Sequence, residues 1–202
     1  MLKKNIDYYS SLLDKHGASP EGVGWNGQAA QEIRFSQLCH LVRLDSFSVN
    51  DLGCGTGDLA NYLRANYKSV DYTGYDVIPK MIATAKARFK ESNTRFKLIC
   101  SGDAMQEADY TLASGIFNLK FNQTETEWRE FILSSLRTMD RSSRYGFAFN
   151  ALTQYSDQLM MKRDLFYADP LWLFDFCKKN FSRNVALLHD YNIYDFTILV
   201  RK

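Results

Sequence analysis

From residue 49 to about residue 152, short apolar runs alternate with segments whose apolar residues recur every three or four positions. The runs near 49–52, 71–75, 95–100, 110–113 and 144–151 predict strands, and the segments near 58–66, 80–90 and 124–139 predict helices. Regular alternation of this kind argues for parallel βαβ units with right-handed crossovers. Beyond residue 152 the pattern changes. A helix near 170–180 precedes two strand-like runs, 185–189 and 193–200, separated by a short turn at Tyr191-Asn192, which together read as a hairpin. It would add one antiparallel strand to an otherwise parallel sheet. Ahead of the alternating region, 28–41 reads as a helix after the glycine-punctuated turn Gly22-Val23-Gly24-Trp25-Asn26-Gly27.

The densest signal lies at residues 49–57, Val-Asn-Asp-Leu-Gly-Cys-Gly-Thr-Gly. A strand runs into a loop with glycine at every second position, and an amphipathic helix follows at once. Gly53, Gly55 and Gly57 allow positive φ and close approach of a ligand to the backbone, while the next helix offers unpaired N–H groups. The dinucleotide fingerprint requires its third glycine at position 58, where Asp58 stands. That carboxylate and Asp51 repel a diphosphate, whereas a ligand carrying an ammonium group can use Asp51. No Walker lysine follows, which removes the P-loop reading. Asp76 ends the second strand about 20 positions further on, where an acidic side chain can accept hydrogen bonds from ribose hydroxyls. Pro79 then opens a helix.

These residues, an acidic position followed by G-x-G-x-G and a second acidic position at the next strand end, resemble the class I S-adenosylmethionine-dependent methyltransferases over roughly residues 45–202. The resemblance implies a Rossmann-like sheet of order 3-2-1-4-5-7-6 with helices on both faces, and S-adenosylmethionine as cofactor. It implies that Val77 and Ile78 flank the adenine and that Asp103 and Ala104 hold it through a side chain and a backbone N–H. By position, residues 114–118 fall at the methyl-transfer zone, Ser114 on the cofactor side and Asn118 on the acceptor side. Arg34 is expected to meet the carboxylate of the cofactor's methionine end, and Trp25 either to anchor the core or to cover the cofactor. Cys54, inside the loop, reads as a small residue that fits.

Composition agrees with one domain spanning 1–202, with a helical arm or lid at 1–44 and a cofactor-binding core at 45–202. The 202 residues are 46% hydrophobic and 14% aromatic, enough to bury a sizeable core, and no Pro/Gly/Ser-rich linker divides them. The net charge of +2 gives little reason to expect nucleic acid. There is no apolar leader at the N-terminus and no run of 18 apolar residues, so no membrane partner is expected and a cytoplasmic location is. The four cysteines, Cys39, Cys54, Cys100 and Cys177, form no C-x-x-C pair.

Substrate choice is expected in the connection after the fifth strand, 152–170, which must emerge at the carboxyl edge of the sheet. Tyr155 and Tyr167 are its candidate acceptor-binding residues. The Asp/Asn-Pro-Pro-aromatic motif of amino-DNA and glutamine methylation is absent, since the only prolines are Pro20, Pro79 and Pro170. A catechol-type magnesium site is not expected either, because Ser114 and Asn150 stand where its acidic ligands would. A small-molecule acceptor methylated on oxygen or nitrogen is the leading expectation. The alternatives are RNA or protein methylation, or a non-catalytic binder of the cofactor. No catalytic base and no oligomeric state follow from the sequence.

Overall fold

The computed structural model describes residues 2–90, 92–100 and 104–202. Two helices, α1 (Leu2–His16) and α2 (Gln28–Cys39), flank a short 3-10 turn at Glu21–Val23. The core then runs β1 (Ser46–Leu52), α3 (Asp58–Asn66), β2 (Ser69–Asp76), α4 (Pro79–Arg88), β3 (Arg95–Leu98), β4 (Ala108–Ala113), α5 (Glu125–Arg141) and β5 (Ser143–Leu152). After a second 3-10 turn at Gln158–Met160 come α6 (Pro170–Asn180), β6 (Asn184–Leu188) and β7 (Asp195–Arg201). The seven strands form one sheet of order β3-β2-β1-β4-β5-β7-β6. Its pairings are parallel except around β7, which runs antiparallel to β5 and β6. The expected topology is therefore present, hairpin included.

Local chemistry fixes the element ends. Pro79 and Pro170 sit in the first turns of α4 and α6, where a missing N–H costs nothing. Asp169 caps α6 by accepting the Leu171 N–H at 2.9 Å. Thr124 opens α5 with a reciprocal capping box to Glu127. Trp128, Ile132, Leu136 and Met139 then recur at helical spacing on the buried face of α5.

Period-2 alternation sorts the strand side chains between two cores. Phe147, Phe149 and Ala151 of β5, with Phe196, Ile198 and Val200 of β7, pack on one face with α5 and α6. Ala148 and Leu199 point to the other face, beside Phe35 and Leu38 of α2 and Leu59 and Leu63 of α3. Several boundaries differ from the sequence pattern by one to three residues, and the difference that bears on the site is that β3 ends at Leu98, so Ile99 and Cys100 leave the sheet and join the wall of the cavity described below. Among the described residues no helix is long and apolar enough to cross a membrane.

Candidate active site

A cavity of about 1320 Å³ opens beyond the carboxyl ends of β1, β2 and β4, beneath α1 and the start of α2. Parallel strands direct their ends, and the loops that follow, to this edge. The β1 end supplies Asp51, Gly53, Cys54 and Gly55, the β2 end Asp76, Val77 and Ile78, and the β4 end Ser114 and Asn118.

The loop after β1 is tied to the end of β2. The N–H groups of Gly53 and Cys54 both donate to the Tyr75 carbonyl, at 2.7 and 3.0 Å. The Asp76 carboxylate accepts the Gly55 N–H on one oxygen and the Ile78 N–H on the other, each at 2.9 Å. Each oxygen retains a lone pair for an outside donor. Burial raises the Asp76 carboxyl above the usual range, and the N–H groups of Gly55, Ile78 and Val77 oppose that rise.

Asp51 is buried more deeply and accepts the Tyr72 hydroxyl. Burial pushes its carboxyl up to about 7, the Tyr72 donor works against this, and the Asp76 and Asp58 carboxylates add to it. Three acidic groups around one loop favour a cation over a diphosphate.

The glycines divide by role. Gly53 and Gly55 line the cavity at φ 78° and 52°. A methyl group on Gly53 would fall 2.1 Å from Cγ2 of Ile116, and one on Gly55 would fall 3.1 Å from Cγ1 of Val23. Gly57, expected at the cofactor, does not line the cavity. Its φ is 89°, and a Cβ there would meet the rings of Phe89 and Phe96 at 2.8 and 2.9 Å, so it is a packing glycine at the start of α3. The Cys54 sulfur lies where a Cβ on Gly74 would come within 2.8 Å of it, and burial raises the thiol well above its ordinary range.

The N-terminal arm covers the site. Trp25 lies on Gly115, where a Cβ would be 2.4 Å from Cη2 of the indole, and its ring centroid is 4.4 Å from Cζ of Arg34. Arg34 also lines the cavity, but its guanidinium has another partner than the one expected. Nε donates to Asp195 Oδ1 at 3.1 Å, Nη2 pairs with Asp195 Oδ2, and Nη1 donates to the Ala30 carbonyl at 2.7 Å. Asp195 opens β7 with a fully buried side chain, and a carboxylate so placed requires a cation.

At the end of β4, Asn118 Oδ1 accepts the Leu152 N–H at 3.0 Å. Ser114 Oγ accepts from Asn150 Nδ2 at 3.2 Å, and Asn150 Oδ1 accepts the Gly115 N–H at 2.7 Å. Buried Asn150 thus holds the loop after β4 to β5. The connection 152–170 reaches the cavity through Leu152, Lys162, Asp164 and Leu165 and not through the two tyrosines. The parallel bridge between Thr153 and Ala168 and the Gln154 N–H bond to the Ala168 carbonyl fold its ends together. Tyr155 is left exposed beside His189, and the Tyr167 hydroxyl accepts the Lys162 N–H at 2.9 Å. Ala104 is exposed and outside the cavity wall, and Asp103 lies outside the described residues. Tyr8, Tyr9 and Phe121 line the cavity without having been singled out by the sequence pattern.

A family profile described as a methyltransferase domain matches residues 49–141, from β1 through α5. The Mycobacterium tuberculosis protein Rv1506c, whose name places it among the methyltransferases, is 52% identical over 158 residues, covering 78% of this chain and 95% of that protein. The chain belongs to the methyltransferases. A second relative, the malonyl-[acyl-carrier protein] O-methyltransferase of Acetivibrio thermocellus, is 36% identical over 85 residues, 41% of this chain and 30% of that enzyme. Among solved structures, magnesium protoporphyrin IX methyltransferase of Synechocystis with bound SAH superposes with a TM-score of 0.68 at 15% identity, over 99% of both chains. DhpI with SAH gives 0.65 at 14% identity, over 98% of this chain and 95% of that one.

Proposed function

We propose that this chain transfers a methyl group from S-adenosylmethionine to an oxygen or nitrogen of a small molecule. The observation that carries the reading is the Asp76 carboxylate, held by the N–H groups of Gly55 and Ile78 on the wall of a large cavity in a methyltransferase. The residues fit the cofactor. Asp76 retains acceptor capacity for ribose hydroxyls, Val77 and Ile78 give apolar faces for the adenine, and Asp51 supplies negative charge for an ammonium group. When bound, the cofactor supplies a methyl group already activated by its sulfonium.

The chain's own contribution is then placement. Gly53 and Gly55 let the loop backbone lie against the ligand, Asn150 fixes the Ser114 and Gly115 turn, and the arm from Tyr9 to Trp25 excludes water. None of the three histidines lies in the cavity wall. Positioning of the acceptor atom therefore supplies the rate without a histidine base.

Titration calorimetry with S-adenosylhomocysteine tests this. Wild type should bind, and Asp76→Ala should weaken binding by about 1.5–3 kcal/mol, the range for hydrogen bonds to a charged group. Preference for a nicotinamide dinucleotide, or full affinity in a folded Asp76→Ala variant, would overturn the assignment.

A further inference from the structure

Phe121 has a backbone φ of 50°, a left-handed conformation that a bulky residue rarely adopts. The other non-glycine residue at positive φ among the described residues, Asn192, is of a type that tolerates it. The strain is held from several sides. The N–H groups of Lys120 and Phe121 both donate to the Asp164 carbonyl, at 2.9 and 3.0 Å. Leu119 bridges Leu165, and the Phe166 N–H donates to the Asn118 carbonyl at 2.8 Å. Strain so over-determined is characteristic of functional sites.

Core packing does not account for the ring. Phe121 belongs to none of the apolar clusters and is only half-buried. Its ring instead meets Tyr8 of α1 edge to face, with centroids 5.5 Å apart, and both side chains line the cavity. Tyr8 in turn stands 5.2 Å from Tyr9, which packs with Val77 and Ile78 at the cofactor end. One turn before these tyrosines, Asn5 also lines the cavity, and its buried Oδ1 accepts no hydrogen bond from the chain. A buried acceptor without a donor calls for an O–H or N–H from outside.

We propose that Tyr8 and Phe121, in edge-to-face contact with each other, form one aromatic wall of the cavity that selects a methyl acceptor built on a flat ring bearing a hydroxyl or amino group. This rests on the reading of the cavity as a methyltransferase site. A flat ring laid against the pair presents its π face and edges to both aromatic side chains, whereas a saturated ring of the same carbon skeleton is thicker and has none. The ring's O–H or N–H satisfies Asn5.

The test uses the full chain with saturating S-adenosylhomocysteine, whose binding is first established by calorimetry. Equilibrium dialysis then compares 2-naphthol with decahydro-2-naphthol. Wild type should bind the flat alcohol at least tenfold more tightly, and the ratio should fall to about two or less in Tyr8→Leu and Phe121→Gly. Asn5→Leu should weaken 2-naphthol several-fold. Phe121→Gly should keep or raise the melting temperature, because glycine adopts this φ without strain. A lowered melting temperature would make the ring a packing element and overturn the aromatic wall. So would equal binding of the two alcohols by wild type, no binding of 2-naphthol, or a ratio unchanged in the variants. Failure of the homocysteine compound to bind would instead overturn the cofactor reading.

Discussion

Arg34→Ala removes the cation from a carboxylate whose own surface is fully covered in the folded chain. The Asp195 side chain is 0% exposed and that of Arg34 11%, so solvent screens the pair little. Both Asp195 oxygens are engaged by the guanidinium. Without Arg34 the charge is stranded at the start of β7, opposite Leu152. Breaking a buried pair by removing one partner costs about 3–5 kcal/mol, a large share of the 5–15 kcal/mol that holds a typical domain together. For a domain of this size each kcal/mol corresponds to about 2–4 °C, so melting should fall by about 6–20 °C. Urea unfolding measures the loss directly. Replacing both partners together, Arg34→Met with Asp195→Leu, should recover much of it, because no lone charge remains. A loss below about 1 kcal/mol at unchanged m-value would refute the argument and return Arg34 to the class of surface arginines. Homocysteine-compound affinity measured on the folded Arg34→Ala variant is expected to change less than about threefold, since a change in binding of under about 0.7 kcal/mol is what an already committed guanidinium leaves to lose.

Asp51 makes stability fall with rising pH. Its folded carboxyl titrates near 7 against about 4 in an unfolded chain, so its contribution is lost as pH rises from about 4 through 7. Urea midpoints at pH 5 and pH 8 should therefore drop more for wild type than for Asp51→Asn, and equal drops would contradict the buried charge. Homocysteine-compound affinity should rise across the same interval, because the ionised Asp51 meets the ligand's ammonium; a flat profile in calorimetry would place that ammonium elsewhere. Gly57→Ala should lower the melting temperature through its φ of 89° and the Phe89 and Phe96 rings while leaving ligand affinity within about threefold, left-handed alanine alone costing about 1–2 kcal/mol. A tenfold loss of affinity in that variant would restore Gly57 to the site.

What the sequence made legible was local. The strand, glycine loop and helix at 46–66 and the carboxylate of Asp76 at the next strand end are set by short-range spacing, and the structure has them in place. Gly57 shows the limit of spacing: alternate glycines look alike, but only packing decides which meets a ligand and which meets Phe96. Tyr155 and Tyr167 were expected in the site because their segment leaves the right strand. The Thr153 to Ala168 bridge, which no periodicity encodes, turns them out of the cavity wall. Tyr8, Phe121 and the Asp195 partner of Arg34 depend on contacts between distant segments and carried no local signal.

Arg34 and Asp195 stand 161 positions apart in the chain. Such a contact closes after the sheet between them has ordered, because loop entropy must be offset by earlier pairings. The joint that seats the N-terminal arm against β7 is then expected to form late. Its loss should accelerate unfolding and leave the refolding rate nearly unchanged, the signature of an interaction absent from the transition state. The arm's fastening therefore sets how long the finished molecule lasts more than how quickly it is made.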